Sequence, residues 1–139
     1  MATVSPSWNY TLHLPRDPKA PGVARATLRS VLAAHGLAQL LPTAELLASE
    51  LLSNAHLHTG GPYSLGIRHR EPGRLVVAVR DVDPYVPVAF QQGAPAAAPP
   101  EGAEHGRGLH LVTVCADSWG VSVAREGKVL WVECKSTGE

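Results

Sequence analysis

The order in which two hydrophobic periodicities follow one another constrains this chain most. Residues 7–14 alternate Trp8, Tyr10, Leu12 and Leu14 with polar partners, which predicts a strand. After a connection carrying Pro15, Pro18 and Pro21, the spacing of Val23, Ala26, Leu28, Val31, Leu32 and Ala34 predicts a helix over 22–35, stopped by Gly36. A second helix is expected from Pro42 to about His58, with Thr43 as its cap and Gly60-Gly61 at its end. Two alternating runs, Tyr63 to Arg70 and Leu75 to Asp81, flank Glu71-Pro72-Gly73 and read as a β-hairpin. Beyond a Pro/Ala/Gly-rich tract at 91–105, a short helix from Leu109 to Ala116 is expected. Strands Trp119–Arg125 and Val129–Lys135 then close the chain around the turn Glu126-Gly127-Lys128. Helices and strands do not alternate as they do in a doubly wound fold. The prediction is an α+β, two-layer sandwich: a mixed or antiparallel sheet of about five strands with helices on one face.

Size and charge narrow the function classes. The 139 residues suit one domain, 1–139, and 45% of them are hydrophobic against 17% charged. The 34 residues after the tract are too few for a second core, so 91–105 is expected to be a mobile lid rather than a linker. Twelve basic and twelve acidic side chains balance, which argues against nucleic acid and anionic membranes as partners. No apolar run is long enough to span a bilayer, and the N-terminus has no basic start or apolar signal core. Cys115 and Cys134 are too few for a disulfide scaffold. The expected location is cytoplasmic.

Three places carry candidate chemistry. Glu50, Asn54 and His58 lie four apart on the second helix, beside Leu47 and Leu51, so the first two sit within or next to the core-facing stripe. Burying a carboxylate and an amide costs several kcal/mol unless partners are supplied. A magnesium ion carrying phosphate would supply them, with Asn54 as a hard oxygen ligand and Glu50 as a proton acceptor. The alternative is that both face solvent from the rim. Asp81 keeps the parity of Leu75, Val77 and Val79 and so emerges on the apolar side, where it needs a donor: a backbone amide, a lysine or a ligand's exocyclic amine. A strand-end aspartate that merely starts a turn is the alternative there. Finally, Gly106-Arg107-Gly108-Leu109 precedes a helix, where glycines let backbone N–H groups approach an anion. His56 and His58 are two apart and make poor geometry for a zinc pair.

Together, Glu50-x-x-x-Asn54, Asp81, the tract and Gly106-x-Gly108 resemble the motifs of the GHKL ATPase superfamily, the Bergerat fold. Residues 50–61, ELLSNAHLHTGG, resemble its N box. The likeness is greatest to small bacterial histidine-kinase-like ATPase domains related to anti-sigma-factor serine/threonine kinases, and covers roughly 20–135. It implies ATP and Mg²⁺ as cofactors. Asn54 would coordinate the metal, Glu50 would be the general base and Asp81 would accept from the adenine amine. Gly106, Arg107, Gly108 and Leu109 would border the phosphates beneath the lid. It further implies a kinase acting on an anti-sigma-factor antagonist, with sequestration of a sigma factor as an added role and a homodimer as the assembly.

Two positions depart from that pattern. The superfamily's Asp-x-Gly-x-Gly is Asp81-x-Asp83-Pro84-Tyr85 here, and its later Gly-Thr is Gly127-Lys128. Both favour a first alternative, a non-catalytic module that sequesters a partner. A second alternative is a metal-dependent hydrolase using Glu50, His56 and His58.

Overall fold

The computed structural model describes residues 7–70, 72–91 and 107–136. Among the described residues, five strands form one antiparallel sheet in the order β1-β2-β3-β5-β4. They are β1 (Trp8–Leu14), β2 (Tyr63–Arg70), β3 (Arg74–Asp81), β4 (Ser118–Ala124) and β5 (Gly127–Lys135). The helices described, α1 (Ala20–Ala34), α2 (Leu41–His58) and α3 (Arg107–Cys115), pack with this sheet as an α+β sandwich. Every pairing is antiparallel, so the mixed-sheet option is not realised. The last strand in sequence slots between β3 and β4, and α3 lies on the path from one to the other.

Alternation decides which face each strand buries. Leu65 and Ile67 of β2, Leu75, Val77 and Val79 of β3, and Leu130 and Val132 of β5 are all buried. They face Leu47, Ala48, Leu51, Leu52 and Ala55 of α2, also buried, in a single apolar cluster. Each leucine so enclosed contributes on the order of 1.5–3 kcal/mol. α1 adds Ala24, Leu28 and Leu32, and closes on the edge strand through stacked rings. Trp8 lies 4.1 Å from His35 with the rings 19° apart, and the Tyr10 hydroxyl is 2.8 Å from His35 Nε2. Gly36 supplies the left-handed residue that ends α1, at φ 71°.

Several boundaries differ from expectation. α1 starts at Ala20, so that Pro21 falls in its first turn, where a missing N–H costs nothing. α2 starts at Leu41 with Pro42 in the same role, and a 3₁₀ turn over Ala38–Leu40 feeds straight into it. Thr43 is therefore inside the helix, and the N-cap is Leu40 with no side-chain cap bond. α3 begins at Arg107 and contains Gly108, rather than starting after it. The β4–β5 turn is Arg125-Glu126, which leaves Gly127 and Lys128 inside β5. Of the expected lid, Gln91 is described and 92–105 lie outside the described residues. Among the described residues, no helix is long and apolar enough to cross a membrane.

Candidate functional site

The helical repeat carries Glu50 and Asn54 to the rim of α2, half-buried, while Leu47 and Leu51 on either side are fully enclosed. The burial pattern favours neither extreme expected from sequence: the pair is not sealed in the core, and it is not on the open surface. α3 packs on α2 at this point. The Glu50 carboxylate lies so close to Gly108 that a Cβ on that glycine would collide with Oε1 and Cδ. The fold thus brings the first and third motifs into contact, and glycine is the residue that makes room. Leu109 turns its side chain into the core, so only its backbone could meet a ligand. Gly106 lies outside the described residues.

This end suits a metal-bound anion by its chemistry. It offers a carboxylate, an amide and the first turn of a nine-residue helix whose second position is glycine. His56 does not join it: its Nδ1 is 2.8 Å from the Tyr63 hydroxyl, with the rings edge to face. Burial holds the Tyr63 hydroxyl above its ordinary pKa, opposed by the nearby Arg16 charge. Among the described residues no cluster of three or more His, Cys, Asp and Glu is arranged to hold a metal. Glu50, His56 and His58, the residues of the hydrolase alternative, therefore do not form such a set.

The second motif is in different surroundings. Asp81 points inward as its parity predicts, and its side chain is 1% exposed. Its donors are internal. Lys128 Nζ lies 3.0 Å from Oδ1 and the Asp83 amide donates to the same oxygen at 2.9 Å. Lys128, 2% exposed along its side chain, also donates to the Asp83 carbonyl at 2.8 Å. Asp83 in turn accepts from the Tyr85 amide at 2.9 Å. Two successive aspartate turns therefore shape the loop at the positions where glycines were expected. The register places Asp81 opposite Lys128, and Gly127 permits it: any Cβ there would strike the Asp81 carbonyl.

Lys128 is the residue that sequence reasoning missed. Its signal was legible, since it shares the inward parity of Leu130, Val132 and Cys134. Assigning it to a turn hid that parity. A shallow cavity of about 220 Å³ opens beside the β3 end, lined by His13, Ser64, Arg80, Asp81 and Glu126 among others. Neither Glu50, Asn54 nor Gly108 borders it, and it is smaller than usual for a cofactor-sized ligand, about 300 Å³ or more.

The family model described as histidine kinase-like ATPase domain matches residues 14–134, from the end of β1 to the penultimate residue of β5. A comparison with curated proteins found no match.

Proposed function

Since the chain belongs to the histidine kinase-like ATPase domain family, we propose that it is an ATP- and Mg²⁺-binding regulatory protein that phosphorylates a serine or threonine of a protein antagonist, in the manner of anti-sigma-factor kinases. The observation that carries this reading is the contact between Glu50 and Gly108, which unites a proton acceptor with a helix N-terminus able to receive phosphate. Asn54, one turn beyond Glu50, would hold the magnesium, which supplies charge neutralisation for the transferring phosphoryl group. Glu50 would take the proton from the attacking hydroxyl. The α3 backbone at Arg107, Gly108 and Leu109 would orient the phosphates, with Gly106 alongside. Phosphoryl transfer asks chiefly for positioning and electrostatics, so few groups are needed.

Incubation with labelled ATP and the antagonist tests this directly. Wild type should transfer label to a hydroxyl side chain. Glu50→Gln should bind ATP but lose transfer by about 10²–10⁴-fold, the usual contribution of a general base. Unchanged transfer in Glu50→Gln would remove that residue from the chemistry.

A second reading is favoured by one observation. The buried pairing of Asp81 with Lys128 satisfies the base-recognition carboxylate from within. On that reading the domain sequesters its partner, a sigma factor or antagonist, without turnover. Stable partner binding with no label transferred would select it.

A further inference from the structure

Resting on the proposed nucleotide site, we propose that Lys128 is the affinity-setting residue of its base end: the lysine offsets the charge of the Asp81 carboxylate that the nucleotide's exocyclic amine would use. The two departures of the sequence from the family pattern meet in space. Lys128 stands where a threonine was expected, Asp83 stands where a glycine was expected, and the lysine ammonium donates to the Asp83 carbonyl. The same ammonium donates to Asp81 Oδ1, which also receives the Asp83 amide. Threonine is too short to make either bond from that position, and glycine would not supply the carboxylate that orders the loop toward Tyr85. The lysine ties strand β5 to the main chain of the loop after β3, and the Asp83 carboxylate orders that loop.

Its effect on a ligand follows from the strength of the bonds involved. Ammonium to carboxylate is a charge-assisted hydrogen bond, roughly twice as strong as one between neutral groups. A base amine is a neutral donor. The lysine and the Asp83 amide both take Oδ1, so the amine is left Oδ2 of a carboxylate whose charge the buried ammonium already offsets, and its bond there is weakened. The chain should therefore hold nucleotide mainly by its phosphates and metal, with weak discrimination at the base. Removing the lysine should release the carboxylate and restore that discrimination.

Calorimetric titration with Mg·ATP and Mg·ITP tests this, inosine carrying an oxygen where adenine carries its amine. Wild type should bind the two within a few-fold of each other. Lys128→Thr, with folding checked by circular dichroism, should bind ATP about tenfold tighter and gain a matching preference over ITP. Asp81→Asn/Lys128→Met, which removes both charges, should show no such gain. A folded Lys128→Thr protein that binds ATP no tighter than wild type overturns the proposal while leaving the nucleotide site intact. A strong preference of wild type for ATP over ITP overturns it without any variant. Binding of ATP only by Lys128→Thr supports it, and absence of binding by every form overturns it together with the nucleotide site itself.

Discussion

The two ends of the proposed site solve the same problem in opposite ways. At the α2–α3 end, Glu50 and Asn54 are half-buried, and the missing Cβ of Gly108 leaves room for the Glu50 carboxylate. At the β3–β5 end, Asp81 is sealed and bonded to a lysine and a backbone amide of its own chain. Both ends hold acidic residues against a glycine. The difference is what surrounds each: a rim of two helices, or the interior of a sheet. An acid on a helix rim keeps access to water and to diffusible cations, whereas one within a sheet must find its counter-charge in the fold.

The largest expected effect is at the sealed end. Lys128→Met alone leaves an uncompensated buried carboxylate and should cost about 3–5 kcal/mol in urea unfolding. Asp81→Asn/Lys128→Met should recover most of that loss, because a buried ion pair contributes little net stability once both charges are gone. A single variant as stable as wild type would show that water reaches Asp81.

Next comes one substitution made at each glycine. Gly127→Ala forces a Cβ onto the Asp81 carbonyl, which is main chain and cannot swing aside. A loss of about 3 kcal/mol is expected. Gly108→Ala meets only the end of the Glu50 side chain, which can rotate away, so unfolding should change by no more than about 1 kcal/mol. Label transfer should nevertheless fall, since Glu50 is what moves. Equal stability losses at the two glycines would erase the distinction between the ends.

The smallest effect uses the two thiols. Cys115 on α3 is exposed and Cys134 on β5 is buried. Burial pushes the Cys134 thiol from 9.0 up to about 11, with Asp117 and Glu133 adding to the shift. The unfolded chain therefore releases this proton first as pH rises, so folded-state stability should decline between pH 9 and about 11 and be unaffected by this group below that range. Native alkylation followed by mass spectrometry should find Cys115 modified and Cys134 intact.

Much of this was legible in the sequence because period and parity are local. Alternation located the hairpin and told that Asp81 points inward, and the four-residue spacing put Glu50 and Asn54 on one face. Helix starts were misjudged where Pro21 and Pro42 sit inside first turns, because proline reads equally as a break or as an opening residue. What remained hidden depended on neighbours far apart in sequence. The approach of Gly108 to Glu50 spans two helices, and the pairing of Asp81 with Lys128 requires the register of β3 against β5. A lysine after a glycine looks like turn chemistry until that register is known.

The placement of β5 has a bearing on biosynthesis. This ribbon leaves the ribosome after the other four described strands, yet it takes an inner berth, hydrogen-bonded on both flanks. Until it arrives, a nascent polypeptide would present one naked margin of the hairpin, with an acid stranded at its tip, as an invitation to stray pairing. Maturation of the molecule thus waits on this strand, and truncation ahead of Gly127 should yield insoluble product rather than a trimmed but working domain.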